Sequence, residues 1–295
     1  MKILSFDEFI LNSGISVPSF DEFKKLGDMT ALFEREKNDF IQLNYERGPL
    51  LYAIISMLKP KNILEIGRAR GYSTLSMAWA LSDNNPSGRI FTIDPISIEK
   101  SSKLLLDDHT TQGSRYENSS IQKIWSKIAK KDWIEKIIPL TGFSGEIMQK
   151  TPFPEINFAY IDGAHFYSAV KHDFYSVLNN VGEDFGILLD DYVDRPQYGI
   201  KQLVDEQIDK HFDTSLIQTD RQNHLKNMLS LKDQNYGMVY FHSNSLKMPL
   251  KEIYTHNERT KAIMDYLKFE DRQRRRTLIN DKVPFLKNIK FRFWK

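Results

Sequence analysis

Residues 61–74, KNILEIGRARGYST, decide the fold. Residues 62–66 are a short β-branched and aliphatic run that carries an acid near its end. A turn bracketed by Gly67 and Gly71 follows, and then residues able to open a helix. The pattern predicts strand, tight loop, helix. Gly67 and Gly71 can take positive φ or let a ligand approach the backbone, and Ser73 or Thr74 can cap the new helix. In an α/β sheet the crevice beyond the carboxyl end of such a strand is the usual ligand position, facing the N–H groups of the helix start.

On the upstream side, ERGPLLYAIISMLKP (residues 46–60) reads as an apolar helix, with Pro49 early and Pro60 just past its end. Downstream, residues 75–81 read as an amphipathic helix, and 89–93 as a strand closing on Asp94. A right-handed crossover sets the two strands parallel, with Asp94 at the same edge as Gly67. Further strands are expected at 137–140, at 156–161 closing on Asp162, and at 186–189 closing on Asp190 and Asp191. The last two, 214–218 and 236–242, lack an intervening apolar helix and should pair antiparallel. The expected fold class is α/β: a Rossmann-like, seven-stranded, mostly parallel sheet with the last strand antiparallel. The core spans 45–245. Residues 1–44 form a helical extension, and 246–295 a basic C-terminal one. The polar stretch 95–136 reads as a mostly helical insertion, either a lid or an ordinary crossover helix with a long loop.

At 295 residues, 41% hydrophobic and 12% aromatic, the composition is that of a globular protein, with no run near the roughly 20 apolar residues of a membrane span. The start, MKILSFDEFILNSG, has acids inside its apolar stretch and no basic region, so a cytoplasmic location is expected. The absence of cysteine excludes disulfides, a thiol nucleophile and thiolate metal sites, leaving oxygen or imidazole to hold any metal. The net charge of +2 makes no case for nucleic acid. The end of the chain is nevertheless basic: Arg272, Arg274, Arg275, Arg276, Lys282, Lys287, Lys290, Arg292 and Lys295 stand against Asp281 alone. That run reads as a solvated helix and a tail packing its aromatics, in preference to a surface for an anionic partner.

Four predicted strands end in a small or acidic group, and in a parallel sheet all four ends lie on one rim. Asp94, roughly 30 residues past the glycine turn, suits hydrogen bonding to a ribose, as does the acid about 20 residues on in dinucleotide folds. The turn itself argues against a dinucleotide, because Ala69 and Tyr72 stand where the pyrophosphate fingerprint needs glycine. Glu65 beside the loop would repel phosphate but suits a cationic nucleoside ligand. Asp162, Asp190 and Asp191 supply hard oxygen ligands of the kind Mg²⁺ takes, with water and substrate completing the octahedron.

In their order and spacing, LEIGRARGYST, IFTIDP, GFS, YIDGAH and LLDDY resemble the class I S-adenosylmethionine (SAM)-dependent methyltransferases. Within that class they are similar to the metal-dependent O-methyltransferases of the catechol and caffeoyl-CoA type and to bacterial sugar and antibiotic tailoring relatives. The resemblance implies SAM as cofactor, with Glu65, Gly67, Ala69 and Gly71 shaping its pocket and Ser73 near the methionine carboxylate. Asp94 would hold the ribose, Phe143 and Ser144 would flank the adenine, and Asp162 would border the reacting end. It further implies Mg²⁺ or another divalent cation on Asp162, Asp190 and Asp191, and a small hydroxylated acceptor such as a sugar, glycan precursor or natural product. His165 stands three residues after the first metal aspartate, where the catechol-type pattern has lysine, and is the candidate base; a metal-ligand or substrate role stays open. Arg68 and Arg70 are two cations in a turn expected to meet a cationic sulfonium, and their direction is open. So is assembly into a homo-oligomer. The alternatives to catalysis of this kind are a methyltransferase-like binding module without turnover and a different reaction on the same fold.

Overall fold

A computed structural model describes residues 1–36, 39–42, 44–109, 113–195, 198–219, 236–247, 250 and 255–282. In chain order the elements are β1 (Lys2–Ser5), α1 (Phe6–Ser13), α2 (Phe20–Thr30), β2 (Leu32–Glu36), β3 (Asp39–Gln42), α3 (Arg47–Leu58), β4 (Asn62–Ile66), α4 (Tyr72–Asn84) and β5 (Arg89–Asp94). Next come β6 (Ser102–Leu106), β7 (Arg115–Ser119), α5 (Ile121–Ile128), α6 (Lys131–Ile134), β8 (Ile137–Thr141), α7 (Ser144–Lys150), β9 (Ile156–Ile161) and α8 (Tyr167–Leu178). The chain ends with β10 (Val181–Tyr192), α9 (Ile200–Leu203), β11 (Ser215–Gln218), β12 (Gly237–His242) and α10 (His256–Lys282).

The main sheet runs β1-β11-β12-β10-β9-β4-β5-β8. Its central strands are apolar on both faces, as helix-covered parallel strands must be: Ile63, Leu64, Ile90, Phe158 and Ala159 have no exposed surface. One face is covered by α1, α3 and α4, the other by α8 and α9. Register sets the rim. Ile66 pairs with Ile93 of β5 and Ile161 of β9, so Gly67, Asp94 and Asp162 leave the sheet side by side. Leu189 pairs with Ile161, which adds Asp190 to the row. As expected, β12 is antiparallel to both β10 and β11.

The sheet has eight strands where seven were expected, because β1 adds a parallel edge beside β11. Four residues, half of them exposed polar side chains, carry little strand signal of their own. The N-terminal helices do form. Ser5 with Glu8 and Ser19 with Glu22 make reciprocal capping boxes, and Phe6, Phe9 and Phe23 bury in the core. The expectation of helices alone over 1–44 fails at the β2–β3 hairpin. It fails again at 95–136, where β6 and β7 form an antiparallel hairpin before α5 and α6. Leu104 and Leu106 share one face of β6 and pack with Met29 and Ile124, and this long-range contact gives the hairpin its support. The 219–235 excursion, beyond Thr219, and the basic tail, beyond Arg272, lie outside the described side chains.

Phe23 is wholly buried, with ring centroids 6.1 Å from Tyr52 and 5.0 Å from Trp79, so α2 is built into the core. Phe23→Ala should cost about 3 kcal/mol or more while leaving a single thermal unfolding transition. A biphasic melt of the wild type would instead show that the N-terminal helices are a separate unit.

Candidate active site

The glycine loop is held by its neighbours' backbones. Gly67 N–H donates to Ile93 O (3.0 Å), and Asp162 N–H to Ile66 O (2.8 Å). Gly67 has φ +93°, and a Cβ there would lie 2.0 Å from the Asp162 carbonyl oxygen, so only glycine fits. Asp94 closes the loop from the next strand. Its Oδ2 accepts from Arg68 N–H (3.1 Å) and Ala69 N–H (2.8 Å), and its Oδ1 from Ile96 N–H (2.7 Å).

Both loop arginines turn away from the rim. Arg68 is 1% exposed and donates to the Thr92 and Ile96 carbonyls beneath the loop. Arg70 donates to the carbonyls of Leu105 (2.6 Å) and Leu32, tying β6 and β2 to the turn. Burial lowers the pKa of each, and for Arg68 the Asp94 and Glu65 carboxylates oppose that shift. Glu65, fully buried, accepts from the hydroxyls of Ser73, Thr74 and Thr92, each at 2.5 Å. Burial raises its pKa and the three hydroxyls hold it down. Glu65 and Ser73 thus satisfy each other behind the loop. Gly71 caps α4 at φ +96° beneath Trp125, whose indole N–H donates to Arg70 O (2.9 Å).

A cavity of about 260 Å³ opens in front of the loop. It gathers Gly67, Ala69, Asp94, Phe143, Ser144 and Asp162 of the expected cofactor residues. Glu65, Gly71 and Ser73 are outside its wall. The wall also holds Tyr266 of α10, which sequence reasoning missed. Tyr266 is 5% exposed and lies 4.5 Å from the His172 ring. One turn on, Glu270 accepts from Gly145 N–H (3.2 Å), fastening α10 over α7. No pattern in that polar helix marks Tyr266 in advance. A larger cavity, about 710 Å³, lies between α2, the β6–β7 hairpin, α5 and α6 and contains none of the expected site residues.

Asp162 on the cavity wall also belongs to a cluster of possible ion ligands. Asp162, His165 and Asp191 each offer one ligand atom, all within 4.8 Å of one another, a spacing and donor set that fit one divalent ion. His165 Nδ1 is 3.1 Å from Asp191 Oδ2, and its ring stacks on Tyr198 at 5.1 Å. Asp191 adopts φ +58°, unusual for a residue with a side chain, at a bulge where the β10–β12 register shifts. Asp190, expected among the metal ligands, is outside that group of three. Its Oδ2 takes the Arg47 guanidinium and the Tyr160 hydroxyl (2.8 Å), and its Oδ1 accepts from Asp191 N–H (2.7 Å). Arg47 also pairs with Asp162 Oδ2 at 3.0 Å. Burial pushes the Asp162 carboxyl well up, and Asp190 and Asp191 add to this while Arg47 opposes it. Burial works against the Arg47 charge, but Asp162, Asp190, Tyr160 and Asp191 together raise its pKa above the ordinary arginine value.

With this geometry, comparison with known proteins becomes informative. A family described as a methyltransferase domain matches residues 64–192, and one described as O-methyltransferase matches 15–105. No curated protein matches the chain. Among solved structures, the O-methyltransferase TomG from Streptomyces achromogenes, involved in tomaymycin synthesis and in complex with SAM, is 16% identical with TM-score 0.50; the match covers 79% of this chain and 93% of that one. An O-methyltransferase from Bacillus cereus in complex with SAH is 16% identical with TM-score 0.49, over 79% and 94%. A methyltransferase from Geobacter sulfurreducens is 13% identical with TM-score 0.47, over 82% and 98%. At 16% identity the likeness to TomG speaks for the fold alone. Each family match covers less than half of the chain; with the fold and the glycine loop they make it similar to the class I SAM-dependent methyltransferases.

Tyr266 lines the cavity from outside the residues that the families match. Tyr266→Ala should weaken binding of S-adenosylhomocysteine (SAH) about tenfold by calorimetry, roughly 1.4 kcal/mol, with the unfolding transition retained. Unchanged affinity would separate α10 from the cofactor.

Proposed function

We propose that the protein transfers the methyl group of SAM to a hydroxyl of a small molecule, such as a sugar, glycan precursor or natural product, with a divalent cation at the acidic rim. The observation that carries this reading is the double membership of Asp162. It lines the cofactor cavity and belongs to the Asp162–His165–Asp191 cluster, so a cofactor in the one adjoins an acceptor at the other.

In this reading SAM supplies an electrophilic methyl group, and a divalent ion, when bound, lowers the pKa of the acceptor hydroxyl. The chain's own residues do the rest. Gly67 and Ala69 bring the loop backbone to the ligand. Asp94 has both oxygens on loop N–H groups yet stays on the cavity wall, where the remaining lone pairs can accept from the ribose. Asp162 and Asp191 would hold the ion, with His165 beside them. The acceptor oxygen forms the new C–O bond as the methyl carbon–sulfur bond breaks, and the sulfur keeps that electron pair as a neutral thioether. The hydroxyl proton goes to His165 Nε2, with Asp191 fixing the ring through Nδ1.

The first test is binding and turnover: calorimetry should detect SAM, and SAH should accumulate only with a hydroxyl acceptor. No SAM binding would sink the proposal. His165→Ala should slow transfer by about a hundredfold, the loss shrinking as pH rises and the acceptor ionises unaided, with divalent-ion affinity unchanged. Loss of ion affinity in that variant would make His165 a ligand in place of a base.

A further inference from the structure

We infer that Arg47 is the resident counter-ion of the acidic rim and competes with a divalent cation for Asp162. This rests on the methyltransferase reading above only for the identity of the site. The contacts themselves are independent of it.

Arg47 opens α3, and nothing in the mechanism so far uses it. Its guanidinium bridges Asp162 Oδ2 and Asp190 Oδ2, and the Tyr160 hydroxyl donates to the same two oxygens, at 3.2 and 2.8 Å. Asp190 is thereby engaged at both oxygens, Oδ2 by Arg47 and Tyr160 and Oδ1 by Asp191 N–H, and it is 1% exposed. It therefore works as a clamp on the arginine and has little left to offer an ion. Asp162 is in a different position. It pairs with the arginine and also belongs to the Asp162–His165–Asp191 cluster. A divalent ion binding there meets a cation already seated on its ligand, in surroundings where like charges a few ångströms apart repel strongly.

The clamp is fixed by more than the ion pairs. The start of α3 is closely packed: a Cβ at Gly48 would lie 2.4 Å from the Tyr72 hydroxyl. The Arg47 Nε is buried without a hydrogen-bond partner among the described residues, so the two carboxylates are what the guanidinium is held by. An ion can gain Asp162 fully only if the side chain alone swings back toward Asp190. Arg47 is thus a positioning residue: it acts through Asp162, keeping the rim compact and nearer to neutral when no ion is bound, and setting how much divalent cation the site needs.

The test is Mn²⁺ binding to the full chain, followed by the electron paramagnetic resonance signal of the free ion, for the wild type, Arg47→Gln and Arg47→Lys. SAH affinity and thermal unfolding are measured on each. Removing the charge should tighten Mn²⁺ about tenfold, and the lysine variant, which keeps a cation but cannot bridge both carboxylates, about threefold. The lysine variant carries the test if the glutamine variant does not fold. Unchanged or weaker Mn²⁺ binding in a folded variant that retains SAH affinity would overturn the inference. Failure of the wild type to bind SAH would count against the methyltransferase reading instead, and the Mn²⁺ comparison would still decide the role of Arg47.

Discussion

The site depends on the backbone of Gly67 lying against that of Asp162. Neighbouring strands β4 and β9 end together, the last ladder bond runs from Asp162 N–H to Ile66 O, and the next residue has no room for a Cβ. Loop and acid therefore cannot drift apart without opening the middle of a parallel sheet whose central side chains are fully buried. A rigid element at that point is what transfer between two bound molecules requires, since small errors in approach are costly. Asp94 reinforces the arrangement from the third strand by tying down the loop's own N–H groups.

Charge is then distributed around that frame by direction as much as by composition. Two arginines in the loop would discourage a cationic ligand if they faced it, yet both guanidinium groups are spent on carbonyls behind the turn. What remains on the cavity wall is Asp94 and Asp162, with no lysine or arginine among the described lining residues. That is a wall suited to a sulfonium. Burying Arg68 costs desolvation, and the nearby Asp94 and Glu65 carboxylates oppose that cost, so Arg68 also steadies the acids next to it.

The strands that form this rim were legible because each is a short aliphatic run closing on glycine or an acid, and strand pairing in βα units leaves few topologies. The cavity residues nearest the loop followed from the same signal. Legibility ended where contacts are long-range. Leu104 and Leu106 form a strand face only because Met29 and Ile124 stand opposite, and four residues at the N-terminus form a strand only because β11 offers an open edge. Ser73 was expected at the ligand, but a hydroxyl so near a buried carboxylate goes to Glu65 first. Tyr266 and Arg47 reach the site from helices whose sequences say nothing of it: one lies far down the chain, and the other begins an apolar segment that reads as core.

The pair Asp190–Asp191 shows how backbone geometry divides two identical side chains. On a pleated strand consecutive residues point to opposite faces, so adjacent aspartates cannot both address one ion without a distortion. The strand does distort here, with a register shift between Leu189 and Tyr192 and a left-handed Asp191. The distortion does not bring the two carboxylates together. Asp190 stays on the buried side with Arg47 and Tyr160, while Asp191 turns out to His165. Two acids adjacent in sequence therefore serve two separate electrostatic tasks. Asp162, on the neighbouring strand, connects them, because it pairs with Arg47 on one side and belongs to the His165–Asp191 cluster on the other.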